Sequence, residues 1–377
     1  MKNEMRRIQK DGIAGKPKGT GPFRADGPSA VLTEARRGME ARLAKGTANM
    51  VKLAGITEKD RVIIITDSPN LELCEKIEAA AKEKGASVEL IFIEEFGKRP
   101  LTELPPDFAI EVEPLEPTVS FLATRDVFEG ELPFRAALVK LLIGKKEGGG
   151  FHARHVHMPI LTEEVAAGEA MTADYDEVAR LTHRVHEIVK GARIISVSAP
   201  NGTNLTAEFD SSLIWVPSDG RILEQGTMHN LPDGEVYTAP AAVNGIFATN
   251  LLGDYFSGKY GVLDDPVRIS IEGGRAVDAE SANAELAEEV LRYLLKGENT
   301  HRVGEFAIGT NTGVTKLIGN MLADEKAAGV HIAFGDPLGD HTGAQWSSTQ
   351  HCDMVTQGTT IIVDGNTVIM RDGEFLI

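Results

Sequence analysis

The chain has 377 residues, more than one ordinary hydrophobic core holds, so two domains are expected. Apolar residues make up 42% and charged residues 25%, which suits a folded globular protein rather than a disordered one. The formal net charge of -17 sets up a field that repels phosphate backbones and anionic bilayers, so neither nucleic acid nor a membrane is expected as a partner.

The basic start "MKNEMRRIQK" is followed by no apolar stretch, so it does not read as a secretory signal. No segment approaches the ~18 apolar residues of a membrane span. With only Cys74 and Cys352, no disulfide framework is indicated, and a reducing cytoplasm is the expected location. Residues 1–28 hold five glycines and three prolines with little apolar pattern and read as a flexible lead-in.

From 29 to 56 the spacing of Val31, Leu32, Ala35, Met39, Leu43, Met50 and Leu53 predicts a helix, interrupted at Gly46. "DRVIIITD" (60–67) reads as a buried parallel strand, "NLELCEKIEAAAKEKG" (70–85) as an amphipathic helix ending on Gly85, and "SVELIFIEE" (87–95) as the next strand. This is a βαβ unit, but no G-x-G-x-x-G follows its first strand and no G-x-x-x-x-G-K-[ST] occurs, so a nucleotide site is not favoured. "TVSFLAT" (118–124) and residues 132–143 complete this half before the break "KKEGGG". "DYDEVARLTHRVHEIVKG" (174–191) predicts a helix with Val178, Leu181, Val185, Ile188 and Val189 on one stripe. Beyond it come short strand-like runs separated by turn residues, with one further helix expected over 279–296. The expected class is α/β: a flexible segment (1–28), an N-terminal α/β domain of βαβ type (29–190), and a C-terminal mixed, β-rich domain carrying a metal site (191–377).

The chemistry concentrates late in the chain. In "HCD" (351–353), strand alternation would aim His351 and Asp353 at one point and turn Cys352 away. An imidazole and a carboxylate so placed suit Zn, Mn, Co or Fe, although a simple His–Asp hydrogen bond has the same spacing. His331 opens the apolar run "HIAFG", where a lone histidine is commonly a satisfied core or edge residue. "DGEVYTAP" (233–240) and "VGEFAIGTN" (303–311) each place a glutamate directly after a glycine at the start of an apolar run. Glu235, Glu305, His331, His351 and Asp353 together make two imidazoles and three carboxylates. That count suits two divalent ions bridged by carboxylate and water.

Other histidines are less informative. His183 falls opposite the apolar stripe of its helix and His186 on its flank, so both read as solvated. In "HARHVH" (152–157), His155 and His157 can share a strand face and would line the pocket if the first domain folds over the metals. His341 lies in a glycine-rich loop between two candidate ligands, where a substrate contact is plausible. Tyr237, two residues beyond Glu235, would share the ligand side, either as a phenol for catalysis or as an aromatic filling the core. No H-E-x-x-H helix or G-x-S-x-G elbow is present.

"GEVYTAP", "GEFAIGTN", "HIAFG" and "HCD", in this order, resemble the ligand segments of the thermophilic-aminopeptidase family of metallopeptidases, the aminopeptidase T and aminopeptidase S enzymes. "NGTNLTAEF" (201–209) resembles the family's "TDLT" strand, and the likeness covers about 155–377 well. The resemblance implies two divalent ions (Zn, Co or Mn) held by Glu235, Glu305, His331, His351 and Asp353. It further implies a small peptide or other small-molecule substrate and a homodimer. Two departures fall in the substrate-facing loop. The family's tyrosine seven residues after the "HIAFG" histidine is Leu338 here, and the stretch from His331 to His351 is shorter.

Ring-cleaving dioxygenases acting on 2,5-dihydroxypyridine are similar in the same half and use one Fe(II), with a histidine where this chain has Glu305. The favoured expectation is an aminopeptidase-like hydrolase that uses a metal-bridged water, with Glu305, Tyr237 and His341 as candidate catalytic groups. A non-haem Fe(II) dioxygenase is the first alternative. A metal-binding relative without peptidase activity is the second, kept open by Leu338.

Overall fold

Helix α1 (Pro28–Leu53) runs through Gly46 without a break. The expected interruption is absent because glycine there serves packing: a Cβ at position 46 would lie 1.7 Å from the carbonyl oxygen of Ala166. The computed structural model describes residues 28–128, 130–253 and 255–377; the lead-in expected over 1–28 lies, Pro28 apart, outside them.

The runs "RVIIIT" and "SVELIF" form parallel strands β1 (Arg61–Thr66) and β2 (Ser87–Phe92), joined by helix α2 (Leu71–Glu83). With β3 (Val119–Ala123), β4 (Arg154–Met158) and a short later strand, β8 (Met228–Asn230), they make a five-stranded parallel sheet ordered β2-β1-β3-β4-β8. Helices α3 (Pro106–Val112) and α4 (Leu132–Ile143) supply Phe108, Phe134, Leu138 and Leu142 to a core against Ile63, Ile65, Ile91 and Leu122. β1 and β3 are buried on both faces, which explains why their runs are almost continuously apolar, while the edge strand β2 is only partly buried.

Two antiparallel sheets follow. The eight-stranded one contains β5 (Ile194–Ser198), β6 (Asn204–Glu208), β10 (Ala242–Thr249), β12 (Val267–Glu272), β13 (Arg275–Glu280), β17 (Thr360–Val363), β18 (Thr367–Arg371) and β19 (Glu374–Phe375). The six-stranded one runs in the order β11-β16-β15-β14-β9-β7. Its members are β7 (Val216–Ser218), β9 (Glu235–Thr238), β11 (Leu251–Leu252), β14 (Val303–Gly309), β15 (Gly329–Gly335) and β16 (His351–Gln357). One apolar core joins them: Ile195, Val197, Val243 and Phe247 from the larger sheet meet Val236, Phe306, Ile332 and Met354 from the smaller. A wholly buried side chain such as Phe306 contributes roughly 1.5–3 kcal/mol by leaving water.

The remaining helices are α5 (Glu163–Ala166), α6 (Tyr175–Val189), α7 (Tyr255–Tyr260), α8 (Ala284–Leu294), α9 (Met321–Asp324) and α10 (Gly339–Thr342). The Asp174 side chain caps α6 by accepting from the backbone N–H groups of Asp176 and Glu177. Helix α8 is shorter than the sequence pattern suggests. Ala279 and Glu280 still pair with β12, and the helix begins where the Asn283 side chain accepts from Leu286 N–H at 3.1 Å. The expected mixed α/β class holds, with a parallel sheet early in the chain and large antiparallel sheets after it. Among the described residues no helix is long and apolar enough to cross a membrane.

Candidate metal centre

The six-stranded sheet turns one face to the apolar core and the other to a polar cluster. On β9, β14, β15 and β16, Val236, Phe306, Ile308, Ile332, Phe334, Cys352 and Met354 belong to the core. Alternation sends Glu235, Tyr237, Glu305, His331, His351 and Asp353 to the opposite face. Strand register sets their spacing: Tyr237 pairs with Ala307 and Ala307 with His331, while Glu305 pairs with Ala333 and Ala333 with Asp353. Glu235 stands opposite Gly309, and His351 opposite Gly335. Each of these side chains therefore has alanine or glycine beside it across the sheet, which leaves room for convergence.

The glycines before the two glutamates have physical causes. Val303 belongs to the core, yet Glu305 faces away from it, because the register slips between them. This β-bulge at Gly304 reverses the alternation and re-aims Glu305. A Cβ at position 304 would lie 2.4 Å from the carbonyl oxygen of Gly335. Gly234 takes φ of 130°, a conformation that favours glycine, and a Cβ there would press on Val178 at 2.8 Å.

His331 Nε2 lies 3.3 Å from Glu235 Oε2 and 3.5 Å from Glu305 Oε1. His351 Nε2 lies 3.3 Å from Glu305 Oε2 and 3.4 Å from Asp353 Oδ1. Glu305 thus turns one oxygen to each imidazole. The side chains form two groups able to hold a metal ion, Glu235/Glu305/His331 and Glu305/His351/Asp353, with Glu305 in both. Asp336 carbonyl oxygen lies 2.9 Å from His351 Nδ1, so that nitrogen donates to it and Nε2 is the nitrogen that would face a bound cation.

Burial opposes charge in this cluster, but the partners win. Against burial, Lys326 and His331 lower Glu235 to about 2, and His331 and His351 do the same for Glu305. In turn, burial would keep His331 neutral, yet Glu235 and Glu305 raise it to about 10. Protons on the imidazoles balance carboxylates that a bound cation would otherwise balance. Glu235 Oε2 is buried with no well-directed hydrogen bond, only the ion pair to His331 Nε2 at 3.3 Å, as a carboxylate oxygen left for a metal would be. The donor set of imidazole nitrogen and carboxylate oxygen fits Zn, Co or Mn.

Several groups at the site escaped the sequence reading. Lys326, almost fully buried between α9 and β15, places Nζ 2.7 Å from Glu235 Oε1 and 2.8 Å from Glu325 Oε1. Burial raises Glu325 to about 7 in spite of Lys326. The available signal was "DEK" (324–326) set two residues before a wholly buried strand, where charges demand partners. His229 on β8 was also passed over; its Nδ1 is 2.9 Å from Ser218 Oγ, which donates to Asp233 Oδ2 at 2.6 Å.

Tyr237 and His341 meet directly, with the phenol oxygen 2.7 Å from His341 Nδ1. Burial, then the charges of Glu305 and Glu235, push the phenol well above its usual range, so it keeps its proton. Leu338, where the aminopeptidases resembled have tyrosine, adopts φ of 51° and starts the short helix α10 that carries His341. His155 and His157 share a face of β4, as alternation predicts, with Nε2 of one 3.2 Å from Nδ1 of the other. Ser120 Oγ lies 2.9 Å from His155 Nδ1. They pair in register with Ser120 and Leu122 of the parallel sheet and take no part in either metal-binding group. His183 is exposed and reaches Asp219 at 3.1 Å, while His186 is half-buried.

The family model for thermophilic metalloprotease (M29) matches residues 159–375. No curated protein sequence matches the chain. A 2,5-dihydroxypyridine dioxygenase from Pseudomonas putida superimposes with a TM-score of 0.66 at 15% identity, covering 89% of this chain and 97% of that one. Wild-type AmpT from Thermus thermophilus superimposes with a TM-score of 0.63 at 18% identity, covering 90% of this chain and 100% of that one. At such identities the two likenesses establish the fold.

Proposed function

The chain belongs to the thermophilic metalloprotease (M29) family, and from that premise we propose that it is a two-metal aminopeptidase acting on short peptides. In this reading Glu235, Glu305 and His331 hold one divalent ion, and Glu305, His351 and Asp353 hold the other. The observation that carries it is the position of Glu305, whose two oxygens each face a different imidazole. Bound there, the ions would supply a Lewis acid for the scissile carbonyl and a source of hydroxide near neutral pH.

The chain's own groups do the rest. Asp336 fixes the tautomer of His351 through its carbonyl oxygen. With Tyr237 O–H donating to His341 Nδ1, His341 carries its proton on Nε2 and offers that N–H to the oxyanion that develops on the substrate. This pair takes the place of the phenol that Leu338 does not provide. Glu305, a candidate catalytic group from sequence as well, has both oxygens turned to imidazoles, and we assign it to ion holding.

A mononuclear iron site of the ring-cleaving kind needs two imidazoles and one carboxylate with open positions. Three carboxylates around two imidazoles favour the two-ion hydrolase instead. The test is metal content per chain in protein purified without added metal, beside turnover of aminoacyl nitroanilides and short peptides. About two divalent ions per chain, falling to about one with loss of turnover in His351→Ala, is the expected result. About one iron per chain, or metal without release of N-terminal amino acids, would overturn it.

A further inference from the structure

The two candidate ion sites share Glu305 but differ in their surroundings. Lys326 Nζ occupies Glu235 Oε1 at 2.7 Å, so Glu235 has only Oε2 to turn toward His331. Lys326 is itself almost completely buried, and its other counter-charge, Glu325, lies on the far end of the pair at 2.8 Å. A fixed cation thus sits against one ligand of the Glu235/Glu305/His331 group, in surroundings with little water to screen it. Among the described residues, no lysine or arginine pairs with Glu305 or Asp353 in the other group. That second group is also the more open: the side chains of His351 and Asp353 are 24% and 17% exposed, against 2% for His331.

We propose that Lys326 is a positioning residue that makes the two sites unequal. It holds Glu235 to a single ligating oxygen and weakens cation binding at Glu235/Glu305/His331. The first ion is therefore taken by Glu305/His351/Asp353, and the second is the weakly held, exchangeable one. The inference rests on the two-ion reading above, and it assigns an order of filling that the ligand set alone does not contain.

The experiment is a cobalt(II) titration of the metal-free full-length chain, followed by visible absorption and by calorimetry, with far-UV circular dichroism to confirm folding. The wild-type chain is expected to take up two ions in two resolved steps. Lys326→Met should raise the affinity of the weaker step by at least about tenfold, the expected sign when a neighbouring like charge is removed, and leave the tighter step in place. Asp353→Asn should remove the tighter step, and Glu235→Gln the weaker; these two variants decide the matter if Lys326→Met does not fold. Two equal steps, a weaker step unchanged by Lys326→Met, or loss of the tighter step in Glu235→Gln would overturn the assignment and leave the two-ion site standing. A wild-type chain that takes up fewer than two ions would overturn the two-ion reading itself, and this order with it.

Discussion

Glu305 is paired across the sheet with Ala333, and Ala333 is paired in turn with Asp353, so one methyl group stands between two carboxylates. A larger side chain at 333 would fill the space into which the site converges. Ala333→Leu is therefore expected to destabilise the chain by about 1–3 kcal/mol through overpacking, and to abolish metal uptake. Denaturant melts and metal analysis of the variant check both effects. Full metal content in Ala333→Leu would show that the small residues are incidental.

The shared position of Glu305 makes its removal worse than that of any other ligand. Glu305→Ala should lose both ions, whereas Glu235→Ala and Asp353→Ala should each lose one. Supporting groups around metal ligands already cost about 10–100-fold in affinity when removed, so a direct ligand should cost more than about 100-fold. Equilibrium dialysis against zinc reads the stoichiometry. Equal losses in the three variants would contradict a bridging role.

Tyr237→Phe removes the hydroxyl that meets His341 and leaves the ring that fills the space beside Ala307. Metal content and thermal midpoint should stay near wild type. With His341 no longer held with its proton on Nε2, turnover should fall by up to about 100-fold, the loss usual for one oxyanion donor, with KM little changed. A variant with wild-type kcat would remove the Tyr237–His341 pair from the mechanism.

Burial holds His155 at about 3, and burial together with His155 holds His157 well below the ordinary histidine value. Below pH ~6.5 the unfolded chain takes up protons that the folded chain refuses, so stability falls with acidification. For His155 this loss runs from about 6.5 down toward about 3, at roughly 1.4 kcal/mol per pH unit. His155→Gln should flatten the decline across that window, as read from denaturant melts at stepped pH in the presence of a chelator. Parallel wild-type and variant curves would show that the imidazole is not resisting protonation.

The glycine at 46 is expected to tolerate no side chain, since the carbonyl oxygen of Ala166 stands where a Cβ would be. Gly46→Ala should cost about 1–3 kcal/mol by forced displacement, although alanine is the better helix former by about 1 kcal/mol. Thermal and denaturant melts decide the sign. A stabilised variant would mean that α1 shifts freely.

Much of the architecture is written locally. "RVIIIT", "SVELIF" and the stripe of Val178, Val185 and Val189 announce strands and a helix because burial selects residues at the period of each element. The H-x-D spacing and the two Gly–Glu pairs marked candidate ligands, since alternation puts i and i+2 on one side of a strand. The continuity of α1 through Gly46 was not readable in this way, because its cause is a backbone 120 residues further along. Nor was the bulge at Gly304, which turns Glu305 away from the face Val303 occupies. Lys326 reaches Glu235 from another strand connection, and Tyr237 reaches His341 across a separation of 104 residues. Sequence by itself determined where the main strands and the long helices lie and which polar groups are anomalous in apolar runs. Only the tertiary structure decided which of them meet, because register between distant strands is set by packing across the whole sheet, and no local window of sequence contains it.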